Sequence, residues 1–156
     1  MIPNSNANGV IIAQGGAFGG WSLYTKEGRL KYSYNLLGLQ RFYAEAATLL
    51  PSGKHQVRME FAYEGGGLAK GYNVSLFVDG SKVGGCRVAA TQPMTFSGDE
   101  TAEVGYESAS SVAEDYTMHT SAFNGKINWV QLDAGVDDND HFISPEERLS
   151  VAMARQ

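Results

Sequence analysis

Lys70 is the first residue to test for chemistry, because it lies in the glycine-rich stretch Glu64-Gly65-Gly66-Gly67-Leu68-Ala69-Lys70-Gly71. Such a loop can cradle phosphates with its backbone amides when the lysine and glycines fall in register. A P-loop needs a glycine, four residues and then Gly-Lys-Ser/Thr, whereas Lys70 follows Ala69 and precedes Gly71. A dinucleotide fingerprint needs glycine where Lys70 stands and a helix afterwards, and the residues that follow read as a strand. The stretch therefore reads as a bend. His55, His119 and His141 are far apart and none has a His-x-x-x-His partner, which argues against zinc. Two acidic clusters, Asp99-Glu100-Glu103 and Asp137-Asp138-Asp140, could offer carboxylates to calcium, although the second misses the EF-hand register of glycine and final glutamate. Solvated loop charge is the default for both, so no metal ligand or cofactor is assigned.

Nucleophilic chemistry finds equally little. Cys86 is the single cysteine, sits on an expected strand and has no histidine within thirty residues, so it reads as a buried or half-buried small hydrophobe. No Gly-x-Ser-x-Gly elbow exists, since Gly105 is followed by Tyr106, Glu107, Ser108 and Ala109. A glycosidase would need two carboxylates about 5–10 Å apart; Glu60 with an acid on a neighbouring strand could in principle supply them. Trp21, Tyr24, Tyr32, Tyr34, Tyr43, Tyr63 and Tyr72 could stack on sugar rings, but alternation puts Tyr32 and Tyr34 on the face of Leu30 and favours the core. Asn73-Val74-Ser75 matches a glycosylation acceptor inside an expected strand, where chance explains it better.

The elements that would position these groups are strands. Val57, Met59 and Phe61 alternate with Arg58 and Glu60, the period of two of a half-buried strand. Val74, Leu76 and Val78 repeat the pattern, and Asp79-Gly80 then turns the chain into Ser81–Val88. Upstream, Gly9–Gln14 is a short strand, and Gly15-Gly16-Ala17-Phe18-Gly19-Gly20 bends the chain with Phe18 as its only large side chain. Trp21–Lys26 and Arg29–Leu36 form a hairpin about Glu27-Gly28. Leu37-Gly38-Leu39 breaks the run before a strand over Gln40–Ala47. Ser108–Tyr116 is small and polar and reads as a long surface loop, a second place to look for a site. Strand character returns over Ser121–Asp133, where Ile127 and Trp129 alternate with Val130 and Leu132. Ser144-Pro145-Glu146-Glu147 is a capping box that predicts a short helix to about Ala154.

Length and composition bound what these strands can build. A chain of 156 residues is one domain that can bury roughly 70% of its unfolded surface. Eight or more short strands with glycine turns imply an all-β, antiparallel two-sheet sandwich with a C-terminal helix. Residues 1–8 form a loose lead-in, 9–133 the sandwich, and 134–156 an acidic loop and helix of the same domain. The formal net charge of −5 argues against nucleic acid, which needs a basic face. No stretch approaches 18 apolar residues, so nothing spans a membrane and no membrane partner is expected. The N-terminus lacks the basic flank and long apolar core of a signal peptide. A soluble chain, cytoplasmic as it stands, is the expectation, though it could be a fragment whose signal lies elsewhere.

Several blocks carry a resemblance: GGWSLYTKEGRLKYSYNLLGLQR, LPSGKHQVRMEFAYEGGGLAKG, LFVDGSKVGG, FSGDETAEVG, FNGKINWVQLD and ISPEERLSVAMARQ. Together they resemble the C-terminal domain of bacterial arylsulfatases, from Gly9 onward. The L-F-V-D-G strand end and the late F-N-G-K-I strand also resemble concanavalin A-like, laminin-G-type jelly rolls. The resemblance implies that sulfate-ester chemistry belongs to a preceding catalytic domain, whose formylglycine arises in a C-x-P/A-x-R motif. Cys86 is followed by Arg87-Val88-Ala89-Ala90 and does not match that motif, so no catalytic residue is carried over. After FSGDETAEVG the chain reads Tyr106-Glu107-Ser108-Ala109, where the family usually has a charged loop containing glycine. The expected function is a non-catalytic accessory domain that packs on a sulfatase catalytic domain or self-associates. The alternative is a stand-alone carbohydrate-binding module.

Overall fold

The computed structural model describes residues 1–4, 6–64, 69–93 and 101–133. Eight strands form: β1 (Gly9–Gly16), β2 (Gly19–Lys26), β3 (Arg29–Leu36), β4 (Gln40–Leu49), β5 (Val57–Tyr63), β6 (Tyr72–Val78), β7 (Ser81–Val88) and β8 (Ala102–Val104). The alternation read from Val57 onward and both expected hairpins are present. Three of the turns share one backbone solution. Glu27-Gly28, Leu37-Gly38 and Asp79-Gly80 each have two consecutive residues at positive φ, the twist that joins neighbouring antiparallel strands without splaying them. Leu37-Gly38 thus reverses the chain into β4 rather than merely interrupting a strand.

The sheet is single and curled. Its order is β5-β6-β7-β4-β3-β2-β1-β8, and every adjacent pair is antiparallel. The all-β, antiparallel character expected from the sequence is present, as one curled sheet by hydrogen bonding. The cause of the curl lies in β4, which pairs along its length with β3 and, at Ala46, also with Gly84 of β7. Gly84 permits that crossing because a Cβ there would stand 2.3 Å from the Glu45 carbonyl oxygen. From this seam β5–β7 swing back over the inner face of β1–β4, as in half of a barrel. Tyr32 and Tyr72 join the two limbs by a hydroxyl–hydroxyl hydrogen bond of 2.7 Å, and Tyr34 meets the Tyr72 ring edge-on at 5.7 Å.

The inner core is built from Ile12, Leu23, Leu30, Tyr32, Tyr34 and Ala44 against Val74, Leu76 and Val88. A register shift between Val10 and Ile12 explains how the continuous apolar run at the start of β1 is buried on both sides. Ile11 and Ile12 join the inner core, while Val10 and Ala13 join a second cluster with Tyr24, Ala113 and Tyr116. That outer cluster is roofed by residues 106–121, the segment expected as an open surface loop. It is instead a cover. Val112, Ala113 and Tyr116 are buried, Tyr116 donates to Ser22 Oγ at 2.8 Å, and the Val112 amide donates to the buried Glu107 carboxylate at 3.1 Å. Polar residues can serve here because they meet partners on the sheet, as Tyr116 and Asp115 do, or within the cover, as Glu107 and Ser121 do.

Two further expectations change. The lead-in is held rather than loose: Ile2 pairs with Gly53, Ile2 and Ala7 are buried, and the Met1 ammonium donates to the Lys126 carbonyl. The strand expected over Ser121–Asp133 does not form. Ser121 accepts from the Val10 amide and Asn124 donates to Asn8, but between Ile127 and Asp133 no backbone hydrogen bond to any described residue is made. The C-terminal helix over 144–154 lies outside the described residues, as does the acidic loop before it. No helix of the described residues is long and apolar enough to cross a membrane.

Candidate interaction surface

Most charged groups that could do chemistry are occupied in holding the fold together. Asp115 sits where the roofing segment meets β2 and β3, accepting from Tyr24 Oη at 2.5 Å and Lys31 Nζ at 2.6 Å. Burial alone would raise this carboxyl, but the hydrogen bonds from Lys31 and Tyr24 outweigh it and hold it below the usual carboxylate range. The Tyr24 phenol is driven far above its ordinary value, first by burial and then by Asp115. Lys31 also reaches Glu45 at 3.4 Å, and its ammonium is raised because these two acids outweigh the opposing effect of burial. The result is a lock, with its charges spent on neighbours.

The remaining candidates are dispersed. Glu103 takes the amide and hydroxyl of Ser108; Asp99 and Glu100, with Asp137, Asp138 and Asp140, lie outside the described residues. Among the described residues no three metal-ligating side chains come together. Glu60 pairs with Arg58 at 2.8 Å on the outer face, and Ser75 rather than an acid lies opposite it on β6. His55 closes onto Asp79 at 2.6 Å and onto the Ser52 carbonyl, so it braces the β6–β7 turn; His119 is exposed, and His141 lies outside the described residues. Lys70 donates its amide to Tyr63 Oη and its carbonyl accepts from Thr91. Glu64 pairs with Arg87 at 2.7 Å, while residues 65–68 are not described. Cys86 is half-buried, and burial pushes its thiol up, away from nucleophilic use.

Of the aromatic candidates, Tyr24, Tyr32, Tyr34 and Tyr72 are buried. Trp21 is half-buried and donates to Gln14 Oε1 at 3.3 Å, Tyr63 is half-buried, and Tyr43 lies beneath Lys31 Nζ at 5.9 Å. No row of open ring faces results.

What the described residues do present is an open cleft of mixed polar and apolar lining, with large apolar side chains exposed near it. A cleft of about 470 Å³ opens beside β8, with Val104 and Gly105 on one wall and Ile127, Asn128, Trp129 and Val130 on the other. Ile127 is anchored against the core, and a Cβ on Gly105 would touch its Cδ1 at 3.7 Å. Beyond that anchor, Trp129 is 62% and Leu132 66% exposed, and Val104 and Tyr106 are exposed as well. The segment therefore combines strand-like alternation, a backbone without a ladder partner among the described residues, and large exposed side chains. The alternation at 127–132 is visible in the sequence; the lack of a ladder partner among the described residues is not.

Comparison with protein-family models, with curated proteins and with solved structures gave no match.

Proposed function

We propose that this chain is a non-catalytic interaction domain that docks by strand addition through residues 127–133, self-associating with the same segment of a second copy. The observation that supports this is that the backbone of 127–133 makes no hydrogen bond to another described backbone group, while Trp129 lines a cleft with Val104 and both side chains are exposed. Backbone amides and carbonyls exposed along an extended segment supply affinity, and alternate apolar side chains supply register. Two copies related by a two-fold axis would each offer the same edge, so the contact closes on itself. The resemblance to arylsulfatase C-terminal domains adds a catalytic domain as the partner the same edge would take in a longer assembly. We also read the curled sheet as a concanavalin A-like jelly roll, with β5–β7 as its second layer; the Tyr32–Tyr72 bond across the two limbs supports this.

Sedimentation velocity across a concentration series tests the proposal. The intact chain should pass from monomer to dimer. Trp129→Asp and Val130→Pro should remain monomeric with unchanged thermal unfolding, the first by placing a charge in the contact and the second by removing a backbone donor. A chain that stays monomeric throughout the series, or variants that dimerise as well as the parent, would refute self-association.

A further inference from the structure

The β1–β2 and β3–β4 turns form a second apolar feature, which strand addition does not use. They lie side by side. The buried Asn35 side chain donates to the carbonyls of Gly16 (2.7 Å) and Ala17 (3.0 Å) and accepts from the Gly38 amide (2.9 Å). A Cβ on Gly38 would approach the Ala17 carbonyl to 2.8 Å. From this paired tip Phe18, Leu37 and Leu39 project, 75%, 48% and 85% exposed.

Three observations set the tip apart from an ordinary pair of turns. The first is backbone strain accepted for an apolar side chain. Leu37 has φ 54°, and the corresponding residues of the other two turns, Glu27 and Asp79, are charged. A branched apolar residue is disfavoured in that conformation, where asparagine, aspartate and glycine are at home. The second is charge. No charged residue occurs from Gly15 to Gly20 or from Leu36 to Gln40, and Arg41 behind the tip is paired with Glu114 at 3.1 Å. The third is partial satisfaction of the turn backbone by protein groups. Besides the three Asn35 bonds, the Leu39 amide donates to Leu36 and the Ala17 amide donates to Ser110 Oγ. Each polar backbone group bonded in this way costs less to move out of water.

We propose that this tip inserts into the surface of a lipid bilayer. Its size favours lipid over protein. Its three side chains present roughly 400 Å² of apolar surface, about half of the ~800 Å² per partner that a stable protein contact buries. With a formal net charge of −5 and an uncharged tip, attraction comes from apolar transfer rather than from anionic headgroups. The surface it recognises is therefore neutral, phosphatidylcholine-like lipid.

Flotation of the full chain with phosphatidylcholine vesicles tests this. Binding should occur, should survive high salt and should weaken when phosphatidylserine is added. Phe18→Ser and Leu39→Ser should each lower the partition coefficient about tenfold. Leu37→Asn should also lower it while raising the melting temperature, because asparagine relieves the turn; loss of binding then cannot be ascribed to unfolding. Trp129→Asp should bind vesicles as the parent does, which separates this tip from the proposed dimer edge. Absence of binding to neutral vesicles would overturn the proposal. So would binding confined to anionic vesicles and abolished by salt, or tip substitutions that alter sedimentation without affecting flotation, which would assign the tip to a protein contact.

Discussion

Replacing Asp115 by asparagine should separate the electrostatic lock from the packing around it. The amide keeps the size of the carboxylate and can still accept from Tyr24, but it gives Lys31 no counter-charge. Hydrogen bonds to a charged group contribute about 1.5–3 kcal/mol each. Two such bonds converge on Asp115, from Tyr24 and Lys31, while Glu45 at 3.4 Å remains to share the ammonium. The two contributions share one acceptor and do not add, so a loss of about 2–3 kcal/mol at pH 7 follows. For a chain of this size that is a fall of roughly 5–10 °C in melting temperature. The pH dependence has a fixed sign. The Asp115 carboxyl is held below its ordinary range in the folded state, so its contribution is present above the unfolded value and disappears as pH falls through the folded one. Calorimetric melts of parent and Asp115→Asn should thus differ most near neutrality and converge towards pH 2. Equal stability at pH 7, or a gap that persists in acid, would show that the Asp115 charge does not hold the roofing segment.

The limbs of the curled sheet offer two more tests. Tyr32→Phe or Tyr72→Phe should each cost about 1–2 kcal/mol by stranding the other hydroxyl, and the double variant should cost less than the sum, read from denaturant midpoints. Gly84→Ala should cost at least about 1–3 kcal/mol, because its Cβ would collide with the Glu45 carbonyl, and should raise amide exchange in β5–β7 before β1–β3. The His55–Asp79 pair gives a pH-dependent brace. Asp79 raises the His55 imidazole by hydrogen bonding, so the pair's contribution is full below the ordinary histidine value and lost as pH rises through the raised one. His55→Gln should therefore lower the urea midpoint at pH 5 more than at pH 8.5.

How much of this was legible in the sequence depends on the range of the interactions involved. Strand alternation and X-Gly turns are local, and Val57–Tyr63, Asp79-Gly80 and Glu27-Gly28 stand where their spacing put them. The curl was hidden because it hangs on a backbone crossing between Ala46 and Gly84, residues whose types announce nothing of a shared strand. The roof over the outer face was hidden for a related reason. Ser108–Tyr116 is polar because its partners, Ser22, Tyr24 and Lys31, lie far back in the chain and present polar groups to meet it. The same local polarity in an unpartnered segment would mean solvent. At 127–133 the reverse holds: the pattern of a strand is present without a pairing neighbour among the described residues. Phe18 stood out in the sequence as the lone large side chain of a glycine bend, but its adjacency to Leu37 and Leu39 depends on Asn35 clamping two turns together.

Hydrogen exchange of the 127–133 amides, followed as a function of protein concentration, tests the proposed docking edge most directly. Docking by strand addition predicts fast exchange in dilute solution and protection that grows with dimer population, centred on Trp129 to Leu132. Exchange that is fast at every concentration while the chain dimerises would place the contact elsewhere. Protection already complete in the monomer would contradict a free edge.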